Sequence, residues 1–137
     1  MQKIAALPAL LALTAAQPAA HAPIEGYWKN PIGSAIIAIR PCGANLCGKV
    51  VWASERGQRE VANTTSHVVG TTVLTGLTYA RGRWAGSLFI PDDNIHVSAH
   101  LEPLGTRQLK LTGCGLMGLI CRTQVWTRAD EPLPAGG

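Results

Sequence analysis

The sequence predicts an all-β protein, a small antiparallel barrel of about eight to nine strands. Three observations carry that prediction. Short apolar or alternating runs follow one another, separated by clusters of Gly, Pro, Asn and Asp, which is the pattern of strands joined by turns. No stretch after the first 22 residues has the apolar periodicity of a long amphipathic helix. An early Gly26-Tyr27-Trp28 is answered by a late run, Gly113 to Arg128 (GCGLMGLICRTQVWTR), so the last strand is expected to close against the first. Closure removes the unpaired edges through which sheet proteins aggregate.

The chain begins with a basic tip, Met1 to Lys3, followed by an apolar run from Ile4 to Ala16 and the small-x-small triplet Ala20-His21-Ala22. This reads as a secretory signal peptide over residues 1–22, with the mature chain starting at Pro23. The apolar run is shorter than the roughly 20 residues of a membrane span, so no integral membrane segment is expected. Residues 23–137 then form one domain.

Within it, Gly26 to Lys29 reads as the first strand and Asn30-Pro31-Ile32-Gly33 as a turn. Ala35 to Ile39 is rich in β-branched residues and extends through Arg40. Pro41 to Asn45 is a turn by composition, and Cys47 to Trp52 returns as the partner strand. Ala53 to Gly70 lacks periodicity; a short helical turn and a long surface loop both fit it. Thr71 to Leu74 and Leu77 to Tyr79 are short strands on either side of Gly76. Arg83 to Ile90 is a strand in which Gly86 marks a bend or a close backbone approach. Pro91 to Asn94 is a turn. Ile95, Val97, Ala99 and Leu101 alternate with His96, Ser98 and His100. Gln108 to Thr112 alternates too, and Arg122 to Arg128 is the last strand.

Four cysteines in a small exported domain imply two disulfides. Local pairs, Cys42–Cys47 and Cys114–Cys121, are expected because each flanks a turn; Cys42–Cys114 or Cys47–Cys121 links are the alternative. A zinc site is not expected, because the spacings do not match the common zinc patterns. Cleavage removes Lys3 from 12 basic residues set against 8 acidic ones, leaving a mildly basic chain. Its basic residues are scattered and not interleaved with aromatics, which excludes a nucleic-acid groove.

Candidate catalytic groups are few. His96 and His100 share a strand face but lie roughly 13 Å apart, too far to hold one ion. Asp92 and Asp93 belong to a turn and are expected to point apart. Ser34, Ser54, Ser66, Ser87 and Ser98 lack a Gly-x-Ser-x-Gly context. No nucleophile and base come together, so no enzyme activity and no cofactor are expected. Trp52, Tyr79, Trp84 and Phe89 are the candidate lining of a ligand cavity. With one Phe and many Ala, Val and Thr, the interior has room for a small apolar ligand at most.

Gly26-Tyr27-Trp28 resembles the Gly-x-Trp of lipocalins, and Arg128 resembles the late arginine that packs across that tryptophan. A fuller resemblance covers nearly all of the mature chain. GYW at Gly26, the CGANLCGKVVW hairpin from Cys42, RWAGSLFIPD from Arg83, LKLTGC from Leu109 and LICRTQVWTR from Leu119 are similar to the bacterial exported family called domain of unknown function 2147. The sequence departs from the common family pattern after Pro91, where it reads Ile90-Pro91-Asp92-Asp93-Asn94-Ile95-His96. The resemblance implies a signal peptide and a lipocalin-like antiparallel barrel, and it implies no activity. The expected function is binding of a small apolar or amphipathic molecule. The alternative is an envelope interaction protein with a filled barrel, meeting its partner through residues 53–70.

Overall fold

The computed structural model describes residues 22–65 and 67–133. The predicted signal peptide therefore lies outside the described residues, apart from Ala22. Eight strands run in chain order: β1 (Gly26–Lys29), β2 (Ala35–Cys42), β3 (Asn45–Ala53), β4 (Thr72–Ala80), β5 (Arg83–Ile90), β6 (Ile95–Leu104), β7 (Gln108–Gly115) and β8 (Ile120–Ala129). Each pairs antiparallel with the next, and β8 pairs with β1 to close the barrel. One helix of six residues, α1 (Glu55–Glu60), lies between β3 and β4. Among the described residues no helix is long and apolar enough to cross a membrane.

The two short strands expected around Gly76 are one strand, β4. Gly76 takes a left-handed φ of 62°, and the register against β5 shifts between Thr75 and Thr78. The strand thus bends at a bulge without ending. The unassigned stretch from Ala53 to Gly70 contains α1, started by a side-chain cap. Ser54 Oγ accepts a hydrogen bond from the Gly57 N–H at 3.0 Å.

The turn between β1 and β2 is held by Asn30. Its Oδ1 accepts from the Ser34 and Ala35 N–H groups at 2.8 and 3.1 Å, and its Nδ2 donates to Ser34 Oγ at 2.8 Å. Ser34 O accepts from Ser54 N at 2.9 Å, which seats the start of α1 on this turn. Inside the barrel, Ile24, Trp28, Ile39, Leu74, Leu77, Leu101 and Leu109 are fully buried. The alternation of β6 is realised at its inner end, with Ala99 and Leu101 in the core, while Val97 is half-buried and Ile95 is exposed. Closure itself is brief: Tyr27, Trp28 and Lys29 face Ala129, Arg128 and Thr127. Because β1 has four residues, no strand covers that side of β8 above Thr127 among the described residues.

Candidate functional site: an open lumen and its closed base

The barrel has two different ends. Turns β2–β3, β4–β5 and β6–β7 lie at one, where Pro23 to Glu25 and Arg128 gather about Trp28. Turns β1–β2, β5–β6 and β7–β8, together with the α1 segment, surround the other, and there the lumen opens as a cavity of about 730 Å³. Its wall is mostly aliphatic, with Ile37, Val50, Val73, Leu88 and Leu111, and Trp126 and Phe89 are its aromatic residues. Val61 and Val68, from the segment after α1, are buried against it. Val61 and Val68 thus cover part of the mouth, while Glu55, Arg56, Gln58 and Arg59 of α1 and Ala62 to Thr64 after it face water.

Strand β8 brings the polar side chains. Its alternation directs Ile120, Arg122, Gln124 and Trp126 to the cavity. Trp126 Nε1 donates to Gln124 Oε1 at 3.0 Å. The rim carries His96, Asp92 and Asp93. Glu60, also on the rim, is paired with Arg56 at 3.0 Å.

At the closed base, the Arg128 guanidinium carbon lies 4.2 Å from the centre of the Trp28 ring. Its three nitrogens donate to backbone carbonyls: Nε to Thr106 at 2.7 Å, Nη1 to Glu25 and Nη2 to Pro23, each at 2.8 Å. Trp28 Nε1 in turn donates to Ile24 O at 2.8 Å. One arginine therefore ties the N-terminal segment, the β6–β7 turn and β8 together. Beside it, Arg107 Nη1 donates to Asp130 at 2.9 Å and holds that carboxyl below its ordinary range. A lowered folded pKa means that this exposed pair helps above the ordinary Asp pKa and is lost as pH falls through the folded one.

The four aromatics expected to line a cavity are divided. Phe89 lines it, at the rim, stacked on His96 with ring centres 4.8 Å apart. Trp84 and Tyr79 flank the β4–β5 turn at the far end, with ring centres 5.3 Å apart; Trp84 packs on the core and Tyr79 is exposed. Trp52 faces Ile36 across β2–β3 and is not part of the cavity lining. Trp126 takes the place expected for these three. The signal for it was the alternation of β8, since Arg128 over Trp28 sets the inward parity. His96 is exposed and His100 half-buried, and no group of metal-ligating side chains forms among the described residues.

The disulfides need one correction. Cys114 and Cys121 face each other on β7 and β8, with Cα atoms 4.1 Å apart, and are bonded. Cys42 and Cys47 are free thiols. The β2–β3 loop is shorter than the composition suggested, just Gly43 and Ala44, so Cys42 faces Asn45 and Cys47 faces Arg40. Gly43 has a φ of 69° at the first loop position, where a tight hairpin calls for glycine. Burial, and then the Cys42 thiol, pushes the Cys47 pKa up to about 11. Thiol titration of the denatured, unreduced protein is therefore expected to find Cys42 and Cys47 free, with Cys47 the slower to alkylate when folded. Peptide mapping that finds them bridged contradicts this register.

No curated protein matches this chain. A solved structure described as "Protein HP1028 from the human pathogen Helicobacter pylori belongs to the lipocalin family" resembles it with a TM-score of 0.57 and 12% identity, over 77% of this chain and 82% of that one. At that identity the likeness shows the fold alone, a lipocalin-like barrel. The family described as "Uncharacterized protein conserved in bacteria (DUF2147)" matches residues 26–128, from the glycine under the closing arginine to that arginine itself, and the chain belongs to this family.

Proposed function

We propose that this protein is an exported, non-enzymatic lipocalin-like carrier whose lumen takes a small apolar or amphipathic molecule. The observation that carries the reading is the aliphatic-walled cavity of about 730 Å³ at the open end. That volume falls within the roughly 300–1,000 Å³ usual for small-molecule sites. Water gains little by filling an aliphatic wall, so an apolar ligand is favoured there by the surface it buries. The leader-like residues 1–22 and the Cys114–Cys121 bridge support export.

Native mass spectrometry of protein purified from its own host tests the binding reading. A retained non-covalent mass, lost on denaturation, is the expected result. A bare chain that also fails to take up neutral apolar dyes would overturn it.

A second reading, an envelope interaction protein, draws on a separate observation. The tip between β7 and β8 exposes Met117 and Leu119 outside the cavity, beside Leu116 and Ile120 at its mouth. Residues 53–70 offer such a partner mainly the charged side of α1, with Glu55, Arg56 and Arg59 outward.

A further inference from the structure

We propose that the lumen selects an anionic amphiphile, a single apolar chain bearing a carboxylate or phosphate head, and that Arg122 and Gln124 hold the head group. The proposal rests on the ligand-binding reading above and names the ligand class for that same cavity.

Three observations meet at this part of the wall. Arg122 lines the open mouth of the cavity, where it is exposed to solvent, and makes no hydrogen bond or ion pair among the described residues. The other arginine on this face of β8, Arg128, has every nitrogen engaged. Arginine has only donors to offer, so this guanidinium, hydrated at the open mouth, is free to exchange water for an acceptor on a ligand.

Gln124 is the next inward residue below Arg122. Its amide orientation is decided by Trp126, because an indole N–H can only donate and so must meet Oε1. That leaves the Gln124 NH2 group as a donor. Two successive inward positions of β8 thus present donors, which suits a group that only accepts, such as a carboxylate or phosphate.

The neighbouring strand leaves room. The residue facing Arg122 on β7 is Gly113, and a Cβ there would come within 3.3 Å of Leu88 and Val97. The guanidinium therefore meets no side chain from its own cross-strand partner. The Cys114–Cys121 bridge is the adjacent rung and fixes the hairpin that carries Arg122. Further in lie Leu111 and Trp126, which together with Ile37, Val50 and Val73 provide an apolar bed for the chain of the ligand. The ligand would enter chain first, with its head at Arg122 near the mouth.

The acidic groups of the rim belong to other elements. Asp92 and Asp93 are in the β5–β6 turn, and Glu60 is paired with Arg56. They favour a cationic head, and the experiment must separate that outcome. N-phenyl-1-naphthylamine, a neutral apolar dye, is bound to the full mature chain and displaced by dodecanoate, dodecyl phosphate, dodecanol and dodecylamine, all kept below micelle formation. Displacement by one or both anions at concentrations about tenfold or more below dodecanol is expected, since hydrogen bonds to charged groups are the stronger ones. The tighter of the two anions identifies the head as carboxylate or phosphate. Arg122→Gln should remove the advantage of the anions over dodecanol, each displacement being referred to the variant's own dye affinity, and leave the unfolding midpoint unchanged; Arg122→Lys should keep part of it. If dodecanol matches the anions, or if Arg122→Gln leaves their advantage intact, the head-group site is wrong while the carrier reading stands. Tighter displacement by dodecylamine also overturns the head-group site. If the dye does not bind at all, the carrier reading itself fails.

Discussion

Arg128→Ala is expected to lower stability by about 2–4 kcal/mol, with a red shift of tryptophan emission as Trp28 meets water. The guanidinium covers the Trp28 ring at 4.2 Å and donates to the carbonyls of Thr106, Glu25 and Pro23. A cation over an indole contributes about 0.5–2 kcal/mol. Hydrogen bonds from a charged donor add about 1.5–3 kcal/mol each when shielded, and less here because the arginine is only half-buried and its acceptors can reach water. Truncation also releases the N-terminal segment, whose Ile24 is fully buried below Trp28. Arg128→Lys is expected to recover a minor part, because an ammonium has no planar face to lay on the ring and cannot reach three separate carbonyls. Gly26 makes the same point from the other side. Its φ is 128°, and a Cβ there would stand 2.5 Å from Arg128 Nη1. Chemical denaturation followed by fluorescence measures the effect; an unchanged midpoint for Arg128→Ala rules out this closure as a stabilising contact.

Gly86→Ala is expected to cost about 3 kcal/mol, through a different cause. Gly86 lies within β5 without a positive φ, so no left-handed backbone is at stake. It lies across from the β4 bulge, and a Cβ would collide with the backbone oxygen of Thr75 and come within 3.0 Å of Leu77 Cδ2. A flexible side chain can move aside, but a carbonyl fixed at a bulge cannot. The strands β4 and β5 must then separate locally, next to the fully buried Leu74 and Leu77. Thermal unfolding of this variant beside a Gly105→Ala control isolates the effect. A Cβ at Gly105 meets nothing within 4 Å, so that change carries only the cost of its φ of 67°. A Gly86→Ala loss no larger than the control's would show that β4 and β5 do not approach so closely.

Much of the barrel was legible because its signals are local. Each strand pairs with its chain neighbour, so turn residues and alternation along a single run are enough to mark it. The alternation of Ile95, Val97, Ala99 and Leu101 needed no partner to be read, and neither did the turn chemistry of Asn30 or Pro91. Counting was less secure. A bulge at Gly76 has the composition of a turn, and only the continuing pairs of Thr78, Tyr79 and Ala80 with β5 show that the strand goes on.

The sequence by itself determined the all-β class, the hairpin order, and the residue types at Gly26, Trp28 and Arg128. Tertiary structure alone decided where space remains inside. Whether an inward aromatic fills the lumen depends on its height along the barrel axis, which bulges and the stagger between strands set jointly. Tyr79 and Trp84 fell at the closed end for that reason, and Trp126 fell beneath the open one. Register decided the cysteines in the same way. A loop of two residues places Cys42 against Asn45, because pairing across a hairpin counts outward from the turn. Arg122 looked like one scattered basic residue among several. Only the closed sheet turned it toward a cavity, since the direction of a strand side chain acquires meaning when the fold has given the strand an inside.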